Sequence, residues 1–365
     1  MLDIVSIFQE VEDPREDNSR HELSAILFIA LIATLCGARN FVEIADFAAA
    51  NEDELCELVD LAHGAPSHDT FTRLFRLLDP EELARAFAAF LALLRRALGL
   101  RPAKGQVAID GKALRGAYER GKAAMPAMLV SVWDCETRLA IASARAPGGN
   151  EVAAALDLLK SLILKGCTVT ADALHCHATM AAAIVTAKAD YVLTLKGNQS
   201  ALHAAVQAAF VAAGAAHEEV LCETGHDRVE RRCGLVLPAG DLGERHGFPK
   251  LAAIGRVRDE RTLNGKTSTR TRYFLLSRKL SSARLMKTVR SHWSIENQLH
   301  WVLDVVFRED DARTRKDYAP ENLAVIRRFA HNILRSHPSP ISMRRKMNLA
   351  RWKDDFFYEL FTHMR

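Results

Sequence analysis

The 365-residue sequence predicts an α/β protein: a small all-helical N-terminal domain, then a core of alternating strands and helices interrupted by a β-rich insertion. Three observations predict it. Apolar residues recur at helical spacing over residues 23–100, short apolar runs alternate with helical segments over 107–195, and that alternation fails over 200–287. Hydrophobic residues at 49% and charged residues at 26%, with only 11 Pro, exclude disordered and collagen-like chains.

The elements follow in order. The longest apolar run, residues 23–38, falls short of the ~18 residues of a membrane span and reads as a buried helix. Asn51, the stretch from His63 to Pro66, and Asp79-Pro80 punctuate the helices that follow. Ser67 and Asp69 are candidate N-caps for residues 70–78, and Asp79-Pro80-Glu81-Glu82 reads as the acidic first turn of the next helix. Residues 101–105, with Pro102 and Gly105, form a linker. Strands are expected at 107–110, 128–133 and 139–144, then a helix at 151–164 capped by Asn150. A strand at 168–171 closed by Asp172, a helix at 177–188 and a strand at 191–195 complete the series. The order β-β-β-α-β-α-β, with Asp110 closing the first strand and Asp172 the fourth, is the layout of a ribonuclease H-like fold. Within the insertion, β-prone pieces lie at 219–222, 235–237 and 273–276, and helical periodicity returns at 291–307 and 320–334. The expected division is a helical domain (1–100), a first part of the core (101–199), a β-rich basic insertion (200–287), the rest of the core (288–340) and a basic tail (341–365).

Charge and cysteine usage narrow the function. The net charge of +4 hides an asymmetry: residues 1–60 carry 14 acids against 3 bases, leaving 46 bases and 31 acids for the rest. That surplus fits a polyanion, and nucleic acid is favoured over membrane because no basic amphipathic anchor is present. Seven Cys without a C-x-x-C pair argue against a disulfide framework and for the cytosol. His175, Cys176 and His177, like Cys222, His226 and Cys233, lack a fourth ligand at zinc spacing.

Asp110 and Asp172, at the ends of neighbouring parallel strands, lie where open α/β sheets bind ligands, and Glu296 on a later helix can join them. Hard oxygen ligands of this kind suit magnesium or manganese and the chemistry of phosphodiesters. Asp304 is the second candidate for the third position. His300, one turn from Glu296, is either a partner of the carboxylates or a packed core residue, and Trp293 and Trp301 are expected to pack in the core. Candidate DNA contacts are Lys112 and Arg115 after the first Asp, and Lys196 and Asn198 after the last strand. Arg270 and Arg272 in the insertion, and Arg344, Arg345 and Lys346 in the tail, complete the set.

The stretches Val107-Ala-Ile-Asp-Gly-Lys-Ala-Leu-Arg115, Thr170-Ala-Asp-Ala-Leu-His175, Tyr191-Val-Leu-Thr-Leu-Lys-Gly-Asn-Gln199 and Ser291-His-Trp-Ser-Ile-Glu-Asn-Gln-Leu-His-Trp-Val-Leu-Asp304 resemble the DDE transposases of bacterial insertion sequences, in their H-repeat-associated subgroup. Pro66-Ser-His-Asp-Thr-Phe71 and Ala319-Pro-Glu-Asn-Leu323 add to the likeness, which runs from about residue 5 to about residue 340. The resemblance implies that Asp110, Asp172 and Glu296, 62 and 124 residues apart, form a metal-binding catalytic triad using Mg2+ or Mn2+. It implies double-stranded DNA as partner, both terminal inverted repeats and target, bound by a homodimer or higher synaptic complex at the nucleoid. Cleavage without strand transfer, and DNA binding without catalysis, are the alternatives.

Overall fold

The first hundred residues form α1 (Ile4–Gln9), α2 (Leu23–Leu35), α3 (Phe41–Ala50), α4 (Glu52–Cys56), α5 (His68–Leu77) and α6 (Pro80–Ala97). Local chemistry starts them where the sequence predicts: Ser67 accepts the N–H of Thr70, and Asp79 that of Glu81 ahead of Pro80. All 13 residues of α2 are buried, as a helix apolar on every side requires. The structure, a computed structural model, describes residues 4–16, 19–100, 105–117, 127–214, 218–225, 228–263 and 266–363. Residues 101–104 of the expected linker, and His226, lie outside them.

The core continues with β1 (Gln106–Ala113), β2 (Met128–Asp134), β3 (Leu139–Arg145), α7 (Glu151–Ser161), β4 (Thr168–Ala171), α8 (Ala178–Thr186) and β5 (Asp190–Leu195), in the expected order. Then come α9 (Ser200–Ala212), β6 (Glu219–Gly225), β7 (Arg228–Pro238), α10 (Leu242–His246), β8 (Ala253–Leu263) and β9 (Lys266–Leu276). The chain ends with α11 (Ser282–His292), a π-helical turn at Glu296–His300, α12 (Trp301–Val305), α13 (Ala319–Ser336), α14 (Met343–Trp352) and α15 (Asp354–Thr362).

All nine strands form one sheet, ordered β3-β2-β1-β4-β5-β9-β8-β7-β6. β1, β4 and β5 run parallel, and β1, β2 and β3 form the expected antiparallel meander. The β-rich segment extends this sheet, because β9 pairs antiparallel with β5. Its strands are far longer than the short pieces seen in the sequence. The inner ends bury Ala253, Val257, Phe274 and Leu276 against Leu285, Met286 and Val289 of α11. The outer ends are polar, joined across the ladder by pairs such as Arg232–Asp259 and Arg231–Glu260, so no apolar alternation marks them. Gly255 lets α11 lie close on the sheet, since a side chain there would meet Leu285.

α13 joins the halves of the molecule. It is buried along nearly its whole length and packs on α2, α5 and α6 on one side and β3 on the other. One apolar core therefore runs from Ile4 to Phe361. Among the described residues no helix is long and apolar enough to cross a membrane, and all seven cysteines are free.

Candidate active site

Strand register brings the first two carboxylates together. β1 and β4 pair in parallel as far as Ile109↔Ala171, and Asp110 and Asp172 are the next residue on each strand. Paired residues leave a sheet on the same side, so both side chains emerge on one face at its carboxyl edge. Asp110 does not close its strand as expected, because β2 continues the ladder and pairs Asp110 with Ser131 before β1 ends at Ala113. Asp172 Oδ1 accepts the backbone N–H groups of Leu174 at 3.0 Å and His175 at 3.4 Å, which fixes that carboxylate.

Glu296 is delivered by α11 and the turn after it, which three hydrogen bonds fasten to the sheet. Gln106 Nε2 of β1 donates to Thr288 O at 2.9 Å, Thr170 Oγ1 of β4 shares a 2.9 Å bond with His292 Nδ1, and Trp133 Nε1 of β2 donates to Ser294 Oγ at 2.9 Å. Glu296 opens the π turn, a feature that frees a backbone carbonyl from its helical partner. In this turn Gln298 O accepts from His331 Nε2 of α13 at 3.0 Å. Burial holds the His331 ring neutral, its pKa pushed down to about 4.

Burial, and then the charges of Asp172 and Glu296, push the Asp110 carboxyl up to about 8. The charges of the other two predicted carboxylates thus reach Asp110. His300 settles as a partner: its Nδ1 lies 3.4 Å from Asp110 Oδ2, and burial holds the ring neutral, with a pKa of about 3. A fourth carboxylate, Glu151 at the start of α7, escaped the sequence reading. It lies directly over Gly111, where any side chain would run into its carboxylate. Burial and then Asp172 raise the Glu151 pKa, placing it beside the same site. Among the described residues, no three acids, histidines or cysteines stand close enough to hold an ion as placed. In donor type and charge the residues still fit a divalent cation, for these are hard oxygens crowded against one another.

The expected DNA contacts separate into two groups. Lys112, 7% exposed, is buried against Asp304 at 2.6 Å, Asp310 at 3.0 Å and Glu309 at 3.4 Å, and does not face a phosphate. Asp304, the second candidate for the third carboxylate, is neutralised by that ammonium. Lys346 is likewise internal, donating to Leu334 O and His337 O at the end of α13, and Arg327 and Arg328 are buried against Glu309. Asn198 donates to Ala173 O at 2.7 Å and so fastens the turn after Asp172. Arg115, Lys196, Arg270, Arg344 and Arg345 are exposed. Arg272 pairs with Asp259 at 2.6 Å and lies over the Trp293 ring; with Arg270 it lines a recess of about 750 Å³ reaching Asn297. Trp293 and Trp301 are 37% and 55% exposed, contrary to the core packing expected: Trp293 lines the same recess under Arg272 rather than the core.

Comparison with known proteins now identifies the family. Residues 101–333 match the family described as "Transposase DDE domain", and residues 5–91 the one described as "DDE_Tnp_1-associated". The chain is 31% identical over 342 residues to the H repeat-associated putative transposase YhhI of Escherichia coli K12, covering 90% of this chain and 89% of that one. It is 30% identical over 346 residues to the putative transposase YncI of Escherichia coli O157:H7, covering 92% and 87%. An uncharacterized protein in the dhlA 3′ region of Xanthobacter autotrophicus is 38% identical over 277 residues, covering 74% and 92%. The chain belongs to the DDE-domain transposases, DNA-acting nucleotidyl-transfer enzymes that generally use divalent metal ions.

Proposed function

We propose that this protein binds the inverted ends of an insertion sequence, cleaves a phosphodiester there to expose a 3′-hydroxyl, and directs that hydroxyl at a target phosphate. The observation that carries the reading is the register of Asp110 and Asp172, one residue past the last parallel pair, with Glu296 braced above them. Asp110, Asp172 and Glu296 would hold divalent metal, Mg2+ with Mn2+ as substitute. Bound metal supplies Lewis acidity toward the scissile phosphate and a more acidic attacking water.

The chain's own groups do the rest. Asp172, locked by two backbone N–H groups, cannot swing away, and His300 holds Asp110 from the side. Arg115 and Lys196, both exposed and following Asp110 and the last parallel strand, would meet backbone phosphates at the catalytic edge. Arg270 and Arg272 would clamp the duplex beside Glu296, with Arg344 and Arg345 giving further backbone contact. The reaction requires two ends in one assembly, so a dimer or larger synaptic complex on cytoplasmic, nucleoid DNA is the working form.

The test uses purified protein and duplexes carrying the element's own ends. Asp110→Asn, Asp172→Asn and Glu296→Gln should each abolish Mg2+-dependent cleavage and retain end binding, because each removes a ligand charge and little volume. Joined products should accompany cleavage by the unaltered protein. Cleavage without joining would leave a nuclease; no cleavage under any divalent metal, with binding intact, would leave a DNA-binding protein.

A further inference from the structure

The acidic N-terminal region carries only three bases in its first 60 residues, Arg15, Arg20 and Arg39, and so looks unsuited to DNA. The fold turns one edge of it to the opposite use. Arg39 at the start of α3 and Arg76 near the end of α5 face the segment between α12 and α13 across a groove of about 820 Å³. That segment adds Arg308, Arg313, Arg315 and Lys316, against which the lining includes only two acids, Glu43 and Asp311. The groove lining is therefore basic by four charges, although only Arg39 of its six bases comes from the acidic first 60 residues.

The groove is built rather than incidental. The segment is bracketed by Arg308 and Asp317, non-glycine residues at φ 56° and 51°, a conformation side chains disfavour. Its two ends are tied down by Arg308 to Asp311 and by Asp317 to Arg76 of α5 at 2.7 Å. Arg315 Nε donates to Gly116 O, anchoring the segment to the chain leaving β1. Arg39, Arg313 and Lys316 remain exposed, with no acidic partner among the described residues. The first turn of α3, with its positive helix end, forms part of the same wall.

Its position completes the argument. Gly116 is six residues beyond Asp110, so the groove begins at most about 20 Å from the first catalytic carboxylate. At 3.4 Å per base pair that is about six base pairs. We infer that this groove grips the phosphate backbone of duplex DNA within about half a helical turn of the cleavage position, making the N-terminal helices part of the DNA track. The inference rests on the transposase reading of the carboxylate site, and its test is independent of catalysis.

Arg39→Gln, Arg313→Gln and Lys316→Gln are combined, and binding to an end-bearing duplex is titrated against salt. The log–log slope should shrink by about 2.7, at about 0.9 per lost phosphate contact. The control combines Arg138→Gln, Lys165→Gln and Lys188→Gln, three exposed bases at the opposite edge of the sheet, and should leave the slope unchanged. Metal-dependent cleavage should fall on long duplexes and persist on duplexes trimmed back to a few base pairs beside the cut. An unchanged slope with a normal melting temperature, or an equal loss in the control, overturns the groove. If no protein cleaves any duplex, the catalytic reading fails while the slope still decides the groove.

Discussion

Lys112 offers the sharpest separation between a structural and a DNA-binding cation. From sequence it is a phosphate contact two residues after a catalytic Asp; in the fold its ammonium is enclosed by Asp304, Glu309 and Asp310 at 2.6, 3.4 and 3.0 Å. Burial pulls its pKa down, but Glu309, Asp304 and Asp310 more than offset that and leave it raised. A lysine so raised contributes stability that is fully present at neutral pH and is lost only as pH climbs through its folded-state value. Lys112→Met keeps the length of the side chain and removes the charge, leaving Asp304 partly enclosed without a counter-ion and Glu309 and Asp310 with only their contacts to Arg327, Arg328 and Arg115. Removing one partner of a buried pair costs about 3–5 kcal/mol. At about 2 °C per kcal/mol for a long chain, the melting temperature should drop by about 6–10 °C. Calorimetry measures the drop, and the salt dependence of end binding, measured on the same protein below its transition, should keep its full slope. A variant that melts like the unaltered protein and loses about 0.9 of slope would refute the enclosure and restore Lys112 to the DNA surface.

Two further outcomes follow from the site. Glu151→Gln should weaken Mn2+ binding about 10–100-fold in a spectroscopic titration, and Gly111→Ala should reproduce the loss by displacing the same carboxylate; normal Mn2+ affinity in both would remove Glu151 from the site. His331 titrates near pH 4 in the fold and near 6.5 when unfolded, so the unfolded chain binds the extra proton between those values. Stability should therefore fall on acidification from about pH 6.5 to pH 4, by up to about 1.4 kcal/mol per pH unit from this group, and His331→Phe should show a shallower acid limb in denaturant titrations.

The parts legible in the sequence were those written in local pattern. An apolar run followed by Asp marks both Asp110 and Asp172, and Ser67, Asp79 and Asn150 mark helix starts through chemistry confined to a few residues. The β6–β9 extension was only partly legible, because its outer ladders are joined by Arg–Asp and Arg–Glu pairs and carry no alternation of apolar and polar. Glu151 was hidden for a different reason. An acid in the first turn of a helix is ordinary, and nothing near it in the chain reveals that Gly111, 40 residues earlier, leaves room for its carboxylate. The basic tail misled in part because a count of charges takes no account of direction: Lys346 turns inward to helix-end carbonyls, just as Arg327 and Arg328 of α13 turn inward to Glu309.

The choice between Glu296 and Asp304 shows how the fold assigns a role that spacing leaves open. Both acids lie on the helical segment after α11, eight residues apart. Lys112 lies on the same strand as Asp110, two residues on, and therefore on the same face, where it meets Asp304 at 2.6 Å. That pairing removes the charge of Asp304 from the cluster and links it to Glu309, which in turn meets Arg327 and Arg328 of α13. Among the described residues Glu296 has no such cation; its charge falls on Asp110, and the bonds that hold α11 and the turn after it to β1, β2 and β4 are all uncharged at the sheet end. Neutral fastening matters here, because a cation used as a brace would compete with a metal ion for the carboxylates. The fold thus sets a neutralised acid beside an unneutralised one, and in the proposed reaction it is the unneutralised one that would join Asp110 and Asp172 in holding a cation at the edge of the sheet.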